Sequence, residues 1–165
     1  MVCLGNICRS PMAEVVLTEK LADAGHDATV EVVSAGTGDW HVGQPMDRRA
    51  AALLASHGYD ASRHRASTFD AGWFDTCDLV LAMDGGNLAD LQAMLDGRDG
   101  DRLRMFRDFD PRAVGGDHDV PDPYFGGDDG FAAVLAMVER TADALVEGIA
   151  GSPAATRVED RQAGG

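Results

Sequence analysis

The first eleven residues, Met1-Val2-Cys3-Leu4-Gly5-Asn6-Ile7-Cys8-Arg9-Ser10-Pro11, set the terms for the rest of the chain. Five residues separate Cys3 from Arg9, and Gly5 lies inside the gap. Ser10 and Pro11 follow, the residue types favoured at the N-cap and first position of a helix. A loop that runs into a helix N-terminus turns unpaired backbone N–H groups inward and carries the positive end of the helix dipole. Such a loop is a ready anion site. Arg9 adds a planar fork of donors suited to two phosphate oxygens. A positive field lowers a thiol's pKa and makes a thiolate nucleophile, which is the part this reading gives Cys3. Nucleophile, cradle and clamp in one short run are the components of a phosphoryl-transfer site. The plainer alternative is a small buried cysteine near an unrelated arginine. Gly5, Ser10 and Pro11 in register favour the functional reading.

Working outward, Ser10 to about Ala24 reads as a helix with Met12, Val15, Val16 and Leu17 on its apolar face and Gly25 as a stop. Thr29–Ser34 alternates as a strand ended by Ala35-Gly36. Thr37–Pro45 is a loop, Met46–Ser56 a helix closed by Gly58, and Asp60–Ser67 a polar link. Phe69–Phe74 suggests a short helix. Cys77–Met83 is a continuous apolar run, as expected of a strand covered on both faces. Asn87–Leu95 is a helix, Leu103–Phe106 the last strand, residues 107–127 a long Asp-, Gly- and Pro-rich loop, and Asp128–Ile149 an amphipathic helix. Alternating strands and helices predict an α/β fold: a parallel sheet with helices on both faces and its site beyond the carboxyl ends of the strands.

At 165 residues the chain suits one domain with a sizeable core. Its net charge of −14 argues against nucleic acid or an anionic membrane as partner. The charge is uneven: residues 1–65 hold six basic and eight acidic groups, while residues 66–165 hold eight and twenty. An anionic substrate fits the less acidic part, where Cys3 and Arg9 lie. Three cysteines without framework spacing, and no signal peptide or membrane-length apolar run, predict a cytoplasmic protein. Residues 151–165, small and polar, read as a disordered tail after a domain spanning 1–150.

The run Cys3–Pro11 resembles the phosphate-binding loop of the low-molecular-weight protein tyrosine phosphatases of bacterial type, and Asp122-Pro123-Tyr124 resembles that family's general-acid loop. The similarity extends from Val2 to about Val146. It implies a single three-layer domain whose four-stranded parallel sheet places the phosphate loop between strand one and helix one. It also implies hydrolysis of phosphotyrosine in proteins or peptides through a phosphocysteine on Cys3, with inorganic phosphate as product. No cofactor and no metal are implied, because backbone amides and Arg9 replace a cation. The amides of Leu4, Gly5, Asn6, Ile7 and Cys8 would cradle the equatorial oxygens with Arg9, and Asp122 would protonate the leaving phenolate. Ser10 has two readings, helix cap and hydroxyl donor to Cys3. Asn6 would be held in an unusual conformation by Ser34 and His64, although His64 also reads as a loop histidine between Arg63 and Arg65. Cys8 would be the family's second cysteine, able to form a disulfide with the nucleophile, or else a structural thiol. Trp40, Tyr124 and Phe125 could wall a deep slot for an aromatic ring.

One departure stands out. A central strand of about five residues should precede the loop, yet only Met1 and Val2 do, so the first strand reads as truncated and several upstream residues are expected. Three other activities compete. Arsenate reductases of this fold relay oxidation through a further cysteine pair, and only Cys77 lies downstream here. Protein-arginine phosphatases carry Thr at the position of Ile7, and the apolar Ile7 points to tyrosine. A non-catalytic phosphopeptide-binding module would need the cradle but neither Cys3 nor Asp122.

Overall fold

The structure, a computed structural model, describes residues 1–151. The proposed tail therefore lies, but for Gly151, outside the described residues. Four strands form one parallel sheet: β1 (Val2–Cys3), β2 (Ala35–Gly36), β3 (Val80–Ala82) and β4 (Leu103–Met105), in the order β2-β1-β3-β4. The helices are α1 (Arg9–Asp23), α2 (Arg48–Ser56), α3 (Trp73–Thr76), α4 (Gly85–Met94) and α5 (Asp128–Ala150). This is the three-layer α/β arrangement the alternation predicts.

Each face of the sheet has its own core. Met12, Val16 and Leu21 of α1 meet Leu54 of α2 and Val134 and Val138 of α5. On the other face Phe69, Phe74, Val80, Leu91 and Leu103 pack together under α3 and α4. Met12 and Val16, and Ala13, Leu17 and Leu21, recur at intervals of four and are almost fully buried. Each such side chain larger than alanine contributes about 1.5–3 kcal/mol by leaving water.

Because the order reverses direction between β1 and its two neighbours, the carboxyl end of β1 is a topological switch point, where α/β sheets place their sites. Cys3 ends β1, and Asp84 follows directly after the strand-length run of β3.

Several local expectations need correction. Thr29–Ser34 is not a strand: the first pair of the β1–β2 ladder is Val2 opposite Ala35. Before Ala35, residues 29–34 meet the backbone leading into β1 at the Met1 amine, which donates to the Val33 carbonyl at 2.7 Å, and no ladder forms there. Alternation supplies a strand's shape, but a strand also needs a partner backbone. The short helix lies at Trp73–Thr76 rather than Phe69–Phe74, because Asp70 accepts from the Gly72 amide and turns the chain first. The loop after β4 begins with a 3-10 turn, Phe106–Phe109. Ser10 is not the cap of α1. The helix starts at Arg9 with Cys8 in the capping place and no side-chain cap bond. Pro11 is tolerated there because the first-turn N–H groups have no helical acceptor.

Candidate active site

Residues 3–9 curl from the end of β1 into α1, and the curl turns on Asn6. Its φ of 53° lies in the left-handed region, which asparagine tolerates better than most residues. Asn6 is completely buried and every polar group of its side chain is engaged. Nδ2 donates to Ser10 Oγ at 2.9 Å and Ser34 Oγ at 2.8 Å. Oδ1 accepts from the Ser67 amide at 2.9 Å, and the main-chain carbonyl meets His64 Nε2 at 2.8 Å. So held, the Asn6 amide points at Cys3 Sγ from 3.3 Å. Ser10 donates its hydroxyl to the same sulfur at 3.1 Å. Ser34 and His64 both lie buried against Asn6.

The loop also needs room. A Cβ on Gly36 would stand 2.8 Å from the Leu4 carbonyl and 3.2 Å from the Asn6 nitrogen, so β2 can approach the loop only through a glycine.

Arg9 is buried to 3% exposure and carries three bonds. Nη1 donates to Asp84 and to the Val120 carbonyl (3.1 Å), and Nη2 donates to Asp122 Oδ2 at 3.0 Å. Burial opposes its charge, but the bond to Asp84 and the fields of Cys3 and Asp122 outweigh that and hold the guanidinium above its ordinary value. Asp122 Oδ1 accepts from the Tyr124 amide at 3.1 Å, which fixes the carboxyl within its own turn. The structure therefore brings Asp122 to Arg9, whose guanidinium lies in the field of Cys3, across more than a hundred residues of chain.

The remaining residues vary more. Leu4 and Tyr124 are partly exposed, Trp40 lies against Gly38 on the surface, and Phe125 is 94% exposed and meets Tyr124 edge-on. Ile7 and Cys8 are buried. Burial, followed by the fields of Asp47 and Cys3, pushes the Cys8 thiol up to about 12. All three cysteines are free.

Four participants escaped the sequence reading. Asp84 grips Arg9 and caps α4 by accepting from the Asn87 amide. Glu14 accepts from the Ser34 hydroxyl, and its Oε2 lies 3.7 Å from His64 Nδ1. Asp47 and Arg49 sit at the start of α2 beside the Asp122 segment. Only Asp84 had a legible signal, its place just past the end of a parallel strand.

Comparison with known proteins places nearly the whole chain among relatives. The sequence profile described as low molecular weight phosphotyrosine protein phosphatase matches residues 1–155. The low molecular weight protein-tyrosine-phosphatase of Streptomyces coelicolor is 48% identical over 149 residues, covering 90% of each chain. Low molecular weight protein-tyrosine phosphatase A of Mycobacterium bovis is 42% identical over 144 residues, covering 87% of this chain and 86% of that one. Among solved structures, a protein tyrosine phosphatase from Entamoeba histolytica superposes with a TM-score of 0.83 at 31% identity, over 90% of this chain and 93% of that one. A Drosophila arginine phosphatase gives 0.83 at 29% identity, over 92% and 96%. With that profile spanning nearly the whole chain and a relative 48% identical over 90% of each sequence, the chain belongs to the low molecular weight phosphotyrosine protein phosphatase family.

Proposed function

We propose that the chain hydrolyses phosphotyrosine in proteins or peptides through a phosphocysteine on Cys3. The observation that carries this reading is the convergence of the Asn6 amide and Ser10 hydroxyl on Cys3 Sγ with Arg9 bound to Asp122. The thiolate of Cys3 attacks phosphorus in line, so an S–P bond forms as the aryl P–O bond breaks. The departing aryl oxide takes its proton from the Asp122 carboxyl. The loop amides and the Arg9 fork bind the equatorial oxygens, whose charge they stabilise during transfer. In the second half Asp122, now a carboxylate, takes a proton from water. The water oxygen bonds to phosphorus, the S–P bond breaks, and inorganic phosphate leaves with Cys3 restored. No step calls for a metal or cofactor. Ser10, bonded to the sulfur, can stabilise the thiolate as it leaves.

Tyr124, Phe125, Trp40 and Leu4 offer exposed apolar surface on loops beside the site, suited to a phosphotyrosine ring and its flanking residues. A nucleophile that must remain a thiol fits a reducing, cytoplasmic setting. The likeness to an arginine phosphatase supports phosphoarginine as the second reading, and the apolar, buried Ile7 favours tyrosine. Purified protein assayed on phosphotyrosine, phosphoserine and phosphoarginine peptides tests both. The expected outcome is phosphotyrosine turnover abolished by Cys3→Ser. Turnover that survives Cys3→Ser rejects the mechanism, and preference for phosphoarginine rejects the substrate.

A further inference from the structure

Arg49 takes no part in the chemistry proposed above, yet it touches the acid segment directly and reaches the phosphate loop through Asp47. In the first turn of α2 its fork grips Asp47, with Nε 3.1 Å from Oδ1 and Nη2 3.0 Å from Oδ2. Asp47 is itself fixed at two points. Its Oδ1 caps α2 by accepting from the Arg49 amide at 2.8 Å. Its own amide donates to the carbonyl of Ile7, inside the phosphate loop, at 2.8 Å.

The far side of the same guanidinium reaches the acid segment. Nη2 donates to the Tyr124 carbonyl at 3.1 Å, and Nη1 lies 3.4 Å from the Gly126 carbonyl it donates to. The Arg49 Cζ stands 5.6 Å from the centre of the Tyr124 ring and 4.6 Å from that of Phe131, near the start of α5. Cation–π attraction thus adds to the hydrogen bonds.

This matters because the segment is tied down before Asp122, where the Val120 amide donates to the Met83 carbonyl and its carbonyl accepts from Arg9, while the stretch after Pro123 is held mainly by Arg49. The Asp122 side chain is 41% exposed, and its hydrogen bonds run to Arg9 and to the Tyr124 amide. Burial anchors the segment at Val120 and Pro123, but Tyr124 is partly exposed and Phe125 stands in solvent, so burial does not fix the stretch after Pro123. The backbone at Tyr124–Gly126 decides where the carboxyl stands, and Arg49 holds that backbone. A lysine could not replace it, because only a planar fork reaches a carboxylate and two carbonyls at once.

We propose that Arg49, braced by Asp47, is a positioning residue that ties the acid segment to the phosphate loop and keeps Asp122 aligned over Cys3. The inference rests on the reading of Asp122 as the general acid. It makes the start of α2 a strut between two loops that are far apart in the sequence.

The test is kcat/KM for a series of aryl phosphates whose leaving phenols differ in pKa, with Arg49→Lys, Arg49→Met and Asp122→Asn, and inorganic phosphate as inhibitor. Poor leaving groups need the acid most, so a displaced Asp122 steepens the dependence on leaving-group pKa. Both Arg49 variants should keep phosphate inhibition within about twofold, and lose about tenfold on the poorest leaving group while losing far less on p-nitrophenyl phosphate. In an Asp122→Asn background, Arg49→Met should add no further steepening. Arg49→Lys keeps the stem and the charge, and carries the test if Arg49→Met fails to fold. Equal losses on every leaving group, or steepening that persists without Asp122, overturn the proposal. A wild-type dependence in Asp122→Asn itself identifies a different failure, that of the acid reading, and removes the role of Arg49 with it.

Discussion

Asn6→Ala removes the residue on which the phosphate loop turns, and its cost can be worked from the geometry. The side chain makes three hydrogen bonds, to Ser10, Ser34 and Ser67, all in buried or half-buried surroundings. At about 1 kcal/mol each, their loss costs about 3 kcal/mol. Alanine also resists the φ of 53° that asparagine accepts, adding about 1 kcal/mol. The total of about 4 kcal/mol corresponds to a fall in Tm of about 8–16 °C for a domain of this size. Asn6→Gly loses the same bonds without the conformational cost, and should be the more stable of the two by about 1 kcal/mol. Both variants free the Asn6 amide from its aim at Cys3 Sγ, and losing such a donor costs about 10²–10³ in rate. Thermal unfolding and p-nitrophenyl phosphate turnover read the two effects separately. A Tm within a few degrees of wild type for Asn6→Ala, or a glycine variant less stable than the alanine one, would refute the reasoning.

Asp110, buried under a two-point grip from Arg140 with further bonds from Arg107 and the Arg112 amide, is pulled down to about 2. Its folded-state value lies below the unfolded one, so its contribution is complete above about pH 4 and is lost as pH falls towards 2. Asp110→Asn should cost about 2 kcal/mol at neutral pH and flatten that acid limb in a Tm-against-pH series; an unchanged limb contradicts this. Cys8, protonated at neutral pH, should resist iodoacetamide at pH 8 until the protein is denatured. Peptide mapping that finds Cys8 alkylated as fast in the native protein as in denaturant would reject that. Gly36→Ala drives a methyl against backbone that cannot rotate away, and should cost about 1–3 kcal/mol together with most phosphate affinity. Wild-type inhibition by phosphate would count against it.

What could be read without coordinates was whatever depends on neighbours in sequence. The helices announced themselves through apolar spacing and glycine stops, with Gly25 in the left-handed conformation just past α1. The apolar run around Val80–Ala82 marked a strand covered on both faces. Misreadings arose where a local preference lost to a distant partner. Ser10 has the composition of a cap, but its hydroxyl is claimed by Cys3 and the Ala35 carbonyl. Thr29–Ser34 alternates like a strand and lacks a ladder. At the site, Cys3 and Arg9 were visible because one loop holds both. Asp84, 75 residues from Arg9, is marked only by its place just past a strand, and Arg49, 75 from Tyr124, by nothing local, since each acts through a contact that only the folded chain creates. Only the fold turns Glu14 towards Ser34.

The most direct measurement is to quench the protein during turnover of an aryl phosphate and find which residue carries phosphorus. Acid quenching followed by peptide mass spectrometry should show one phosphoryl group on Cys3, more abundant in Asp122→Asn if the carboxylate also activates the water of the second step. Phosphate on any other side chain, or turnover with no phosphorylated peptide and full activity in Cys3→Ser, would contradict the account.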